Sequence, residues 1–267
     1  MKWILLVGHG SRDDEGNEEF REFVRRLVRQ TSYPISSCFL EFAEPDVEQG
    51  LAECVRAGAT DIVVVPVILL AASHVKWEIP ELIDQARTRY PGIFIRYGRP
   101  VGLHPRIVDL LVSRFYQIIE GVEDLSDTAI VLMGRGSSDP DANGDLYKLA
   151  RILWERTRVM TVETCFTGIT DPRLPEGVRR AARLGARRIV VVPYFLFTGV
   201  LIKRMTDLLQ ELAGQYPGIV LSMAEYFGFH EVLAQVVGDR IEEAIRGQAA
   251  MTCDLCRYRL ALVEQGG

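Results

Sequence analysis

The chain reads Leu5-Leu6-Val7-Gly8-His9-Gly10-Ser11-Arg12-Asp13 near its start and Leu132-Met133-Gly134-Arg135-Gly136-Ser137-Ser138-Asp139 halfway along. In both places a short apolar run ends in Gly-x-Gly-Ser, and an acidic residue precedes a segment of helical period. The likeness continues outward. Cys38-Phe39, Glu44-Pro45 and Gly58-Ala59 return as Cys165-Phe166, Asp171-Pro172 and Gly185-Ala186. Tyr90-Pro91-Gly92 and Gly102-Leu103-His104 return as Tyr216-Pro217-Gly218 and Gly228-Phe229-His230. Every pair is separated by about 126 or 127 residues, so the chain is an internal duplication. It divides into residues 1–121, residues 127–246 and a tail at 247–267.

Each half alternates apolar runs with segments of helical period, the pattern of a mostly parallel sheet flanked by helices. The expected fold class is therefore α/β, with two tandem, duplicated domains. In the first half, strands are expected at residues 3–7, 35–42, 62–67 and 93–97. Helices are expected at 17–30, 46–57, about 80–89 and 105–119. Ile62-Val63-Val64-Val65 is branched at every Cβ, as suits a strand buried on both faces. Ligands of such sheets bind beyond the carboxyl ends of the strands. That places His9, Ser11, Glu41, Glu44 and residues 71–78 at the functional edge.

Composition narrows the function. The chain has 267 residues, 48% of them hydrophobic and 25% charged, enough for a sizeable core. Its net charge of −5 provides no excess positive field for a phosphate backbone, so nucleic acid is not an expected partner. The longest apolar runs, 62–72 and 189–202, are shorter than the roughly 20 residues of a membrane helix and each contains a proline, so no membrane span is expected. Residues 3–7 are too short for a signal segment. Five scattered cysteines suit a reducing cytoplasm, the expected location, better than a bridged secreted protein.

Gly8-x-Gly10 after a strand invites a dinucleotide reading, but Asp13 occupies the position of the third glycine, where its charge would oppose a pyrophosphate. The histidines are more informative. His104 and His230 are repeat partners at expected helix starts, which suits a shared structural role. His9 and His74 have lost their counterparts: Arg135 and Leu201 stand in their places. Two imidazoles at the mouths of two strands, in one copy only, point to a shared task, and neutral imidazole is the commonest ligand for Co, Ni, Fe(II) and Zn. Glu78 follows His74 by one helical turn and is a candidate third ligand, or a first-turn acid that complements a helix dipole. Glu41 is matched by Gly168, which suits specialisation of the first half. Glu44 is matched by Asp171, which suits a role common to both.

The segments Leu5-Leu6-Val7-Gly8-His9-Gly10-Ser11-Arg12, Val63-Val64-Val65-Pro66 followed by Leu69-Leu70 and His74, and Glu78-Ile79-Pro80 resemble the class II chelatases, CbiX or SirB. These are sirohydrochlorin cobaltochelatases and ferrochelatases. The resemblance covers both halves and matches the long, internally fused form of the family. It implies a lyase inserting Co²⁺ or Fe²⁺ into sirohydrochlorin for cobalamin or siroheme synthesis, with cobalt favoured. The metal-binding histidines carry over to His9 and His74, and Glu78 stands where the family's pattern would place aspartate. The second half, without the histidines, becomes a pseudo-symmetric wall, and the molecule a pseudo-dimeric monomer. A polycarboxylate substrate needs local cations and donors, for which Ser11, Arg12, Lys76 and Arg135 at strand ends are candidates. A metal carrier using the same histidine pair is the alternative.

In the tail, Met251-Thr252-Cys253-Asp254-Leu255-Cys256 contains a C-x-x-C that by spacing suits a zinc half-site or a redox pair equally. The resemblance adds an association of M-x-C-x-x-C with an iron–sulfur cluster. Cys253 and Cys256 supply only two thiolates, so the other ligands would come from non-protein groups or from a second chain in a homodimer.

Overall fold

The computed structural model describes residues 1–248, and the Cys253–Cys256 motif lies outside them. The expected fold class is found: two four-stranded, wholly parallel sheets, each flanked by helices. The chain forms two compact units, Met1–Gly102 with the chain from Leu233, and Leu103–Val232.

In the first unit β1 (Lys2–Gly8), α1 (Asp14–Val28), β2 (Ile35–Phe39), α2 (Val47–Arg56), β3 (Asp61–Val67), α3 (Ile79–Arg89) and β4 (Phe94–Tyr97) follow one another. The sheet order is β2-β1-β3-β4. Gly8 pairs with Phe39 on one side and Val67 on the other, so the three loops that follow these strands leave the same edge together. Leu5, Val7, Cys38, Ile62 and Val64 pack beneath Leu51, Ile79 and Ile83 of the helices. Such burial contributes about 1.5–3 kcal/mol per large aliphatic side chain. Asp13 accepts from the Glu15 N–H at the start of α1. Asp46 and Gln49 form a reciprocal capping box on α2.

The second unit comprises α4 (Pro105–Ile118), β5 (Thr128–Gly134), α5 (Pro140–Thr157), β6 (Thr161–Phe166), α6 (Leu174–Arg183), β7 (Arg188–Pro193), α7 (Val200–Gln215) and β8 (Val220–Met223), in the order β6-β5-β7-β8. A last helix, α8 (Glu231–Ile245), closes the described chain.

The compact units do not coincide with the repeats read from sequence. Helix α4, the end of the first repeat, packs on β7 and α5 of the second unit, where Asp109 meets Arg156 at 2.6 Å. Helix α8, the end of the second repeat, belongs to the first unit. There Arg240, 7% exposed, donates to the Val101 carbonyl at 2.8 Å, and Arg96 donates to the carbonyl of Ile245. The repeats thus exchange their final helices. Periodicity marks a helix but carries no information about which of two similar sheets its apolar face covers.

His104 and His230 have the shared structural role expected of them: each Nδ1 accepts a backbone N–H two residues on, from Arg106 and Val232, at 3.2 Å. Cys38 and Cys165 lie buried on matched strands opposite Val7 and Met133, and Cys54 is buried in α2. Burial pushes the Cys54 thiol up to about 12 and raises those of Cys38 and Cys165 as well. Among the described residues, no helix is long and apolar enough to cross a membrane.

Candidate metal centre

The β1 and β2 loops are pressed together backbone to backbone. Leu40 donates to the Gly8 carbonyl at 2.9 Å and Glu41 to the His9 carbonyl at 3.1 Å, extending the parallel ladder beyond the last paired strand residues. Gly10 makes this approach feasible: its φ is +87°, and a Cβ there would lie 1.7 Å from the Glu41 carbonyl oxygen. The expected strand at 35–42 stops at Phe39 for the same reason, as the chain turns through Phe42 at φ +63° toward a cis Glu44–Pro45 bond. The glycine pair is thus a device for close backbone packing. The Asp13 carboxylate, at the position of the missing third glycine, caps the start of α1.

Ser11 completes the loop. Its backbone N–H donates to Asn17 Oδ1 and its carbonyl accepts from Asn17 Nδ2, both at 2.8 Å, while its hydroxyl oxygen accepts from Asp13 N–H at 3.0 Å. Ser137, Asn143 and Asp139 repeat all three bonds in the second unit. Ser11 is therefore placed as a structural element common to both copies.

His74 opens a single π-helical turn, His74–Glu78, ahead of α3, closed by the Ile79 N–H on the His74 carbonyl. Such turns widen a helix by one residue and occur frequently at functional sites. This one brings His74 Nδ1 to 2.9 Å from Glu78 Oε2. A carboxylate only accepts, so Nδ1 is the donor in this contact. The Nδ1 of His9 likewise faces an acceptor, the Gly10 carbonyl at 3.1 Å. The two rings meet edge to face, with centroids 5.0 Å apart.

Ligand atoms of His9, Glu41 and His74 all lie within 4.8 Å of one another. Ligands in a tetrahedral shell with bonds of about 2.1 Å stand about 3.4 Å apart, so these atoms would have to draw together to enclose an ion. Glu41 also lies 3.3 Å from His9 Nδ1. The three side chains are between a fifth and a third exposed, leaving one side of the group open to solvent. The structure thus brings together His9 and His74 as expected. It sets a glutamate beside the Nδ1 of each ring, Glu41 beside His9 and Glu78 beside His74, and of the two it is Glu41 that falls within the compact group of possible ligands. Its replacement by Gly168 in the second repeat is the sequence signal that sets Glu41 apart.

Of the other residues proposed from sequence, Arg12 is exposed, with its guanidinium 4.8 Å above the Phe42 ring. Lys76, in the π-helical turn, is buried at 6% exposure. Arg135 is exposed at the end of β5, where its carbonyl accepts from Gly168 N–H at 3.0 Å, as the His9 carbonyl does from Glu41. In the second unit Gly168, Leu201 and Met205 replace Glu41, His74 and Glu78, leaving no comparable ligand group among the described residues.

The family model CbiX matches residues 3–118 and 129–244, the two repeats. A sirohydrochlorin cobaltochelatase of Priestia megaterium is 47% identical over 267 residues, 99% of this chain and 87% of that protein. A sirohydrochlorin ferrochelatase of the same organism is 37% identical, over 97% of this chain and 96% of its own length. Among solved structures, SirB from Bacillus subtilis with Fe³⁺ aligns with a TM-score of 0.81 at 36% identity, covering 92% of this chain and 97% of that one. With both repeats matched and the similarity running almost end to end, the chain belongs to the CbiX family.

Proposed function

We propose that this protein inserts a divalent metal ion into sirohydrochlorin, with Co²⁺ as the ion of first choice and Fe²⁺ accepted by the same ligands. The observation that supports this reading is the convergence of His9, Glu41 and His74. Two imidazoles and one carboxylate suit either ion. The higher identity to the relative named as a cobaltochelatase, 47% against 37%, favours cobalt.

Three protein ligands leave the rest of the coordination sphere to water and then to pyrrole nitrogens. Insertion exchanges two ring N–H protons for the ion, and each protein ligand released in the exchange is a base able to accept one. The half-exposed edge lets the ion be presented to a large flat ring, a geometry that an enclosed structural site would forbid.

The test is anaerobic mixing of protein, sirohydrochlorin and Co²⁺ or Fe²⁺, followed by visible absorption. Insertion faster than the protein-free reaction is expected, with His9→Ala and His74→Ala at background rate while still binding the tetrapyrrole. Metal uptake by the wild type without acceleration would identify a carrier and overturn the proposal.

A further inference from the structure

Phe42 follows Glu41 in the chain and is an unusual residue for its position. It is 52% exposed and its backbone is left-handed at φ +63°. Its repeat partner Ile169 has the same two properties, 60% exposed at φ +65°. A left-handed backbone is disfavoured for any residue with a Cβ and most for a β-branched one, whereas glycine adopts it without strain. Exposure of a large apolar side chain adds a second cost. Both repeats carry both costs.

Metal binding does not explain the pair, because the second repeat keeps Ile169 after replacing His9, Glu41 and His74 by Arg135, Gly168 and Leu201. Core packing does not explain it either, since both side chains face solvent. The surroundings of Phe42 suggest what does. Its loop is held by the Gly10–Glu41 approach and by Arg21, which donates to the Glu44 carbonyl at 3.0 Å. The Arg12 guanidinium lies over its ring at 4.8 Å, and among the described residues Arg12 has no acidic partner. An apolar ring and an unneutralised planar cation, one residue from a metal-ligand candidate, match a flat molecule with apolar faces and a carboxylate rim.

We infer that Phe42 is a substrate contact, taking a face of the tetrapyrrole macrocycle while Arg12 takes a peripheral carboxylate. This rests on the proposed function and adds a residue that would hold the ring beside the metal-ligand candidates. The experiment compares Phe42→Gly, Phe42→Tyr and Arg12→Gln with the wild type in the full-length chain. It measures sirohydrochlorin affinity without metal, Co²⁺ affinity without tetrapyrrole, kcat, KM and thermal midpoint. For Phe42→Gly, sirohydrochlorin Kd and KM should rise roughly tenfold or more, Co²⁺ affinity should not change, and the midpoint should not fall, because glycine relieves the left-handed strain. Phe42→Tyr keeps the ring and should remain within about twofold of wild type, while Arg12→Gln should weaken tetrapyrrole binding without affecting Co²⁺. Unchanged tetrapyrrole affinity in Phe42→Gly, with the wild type binding and inserting normally, would overturn this inference alone. A wild type that binds no sirohydrochlorin would overturn the functional reading and this inference with it.

Discussion

The carbonyl oxygen of Glu41 occupies the space beside Gly10 where any other residue would place its Cβ, 1.7 Å from the ideal Cβ position. The obstacle is backbone, so it cannot swing aside as a side chain could, and the φ of +87° adds strain for any replacement.

Gly10→Ala should therefore force the two loops apart and separate His9 from Glu41. A loss of stability on the order of 3 kcal/mol is expected together with loss of tight Co²⁺ binding. Gly92→Ala is the control, since nothing lies within 4 Å of a Cβ there and it should be close to neutral. Chemical denaturation and metal titration of both variants check this.

The two glutamates near the histidines should separate by magnitude. Glu78 touches His74 Nδ1 and on the proposed function orients that ring, so Glu78→Ala should weaken Co²⁺ binding about 10- to 100-fold. Glu78→Gln keeps an acceptor and should lose less. Glu41→Ala removes a ligand candidate and should cost more than either, as read by Co²⁺ titration under anaerobic conditions. Equal losses from Glu41→Ala and Glu78→Ala would argue against this division of roles.

Stability should depend on pH through His230. Burial and the nearby Arg114 hold its imidazole below the ordinary 6.5, and its Nδ1 accepts the Val232 N–H as a neutral acceptor. The unfolded chain thus takes up the proton first as pH falls. The stabilisation is fully present above about 6.5 and declines as pH drops toward the lower folded-state value. His230→Asn caps without titrating, so its stability should fall less than that of wild type between pH 7.5 and 5, measured by urea denaturation.

Thiol reactivity should report the buried set. Cys38, Cys54 and Cys165 are buried with raised pKa values, so none should react with a disulfide reagent at pH 8 until the protein unfolds. A double Cys253→Ser, Cys256→Ser variant removes the tail thiols and makes this directly visible. Rapid labelling of that variant in the folded state would contradict the burial described.

Much of this was legible in the linear chain, because duplication, strand runs and turn glycines are local patterns. Gly8-x-Gly10 and Gly134-x-Gly136 marked the strand ends, and the missing partners of His9 and His74 singled out one repeat. The His74–Glu78 contact was legible too, since one helical turn separates the residues in sequence. What remained hidden depended on distant segments. Glu41 reaches His9 because Gly8 pairs with Phe39 across adjacent parallel strands, a register set by the packing of the whole sheet. Lys76 is buried within a π-helical turn, a widening that residue spacing does not announce. Sequence by itself determined the class of fold, its repetition and the repeat that keeps the imidazoles, through periodicity and residue identity. Tertiary structure alone decided which carboxylate joins them, which helix covers which sheet, and that Phe42 and Ile169 are held exposed in left-handed backbone. Each of those is a contact or conformation imposed by parts of the chain far away in sequence.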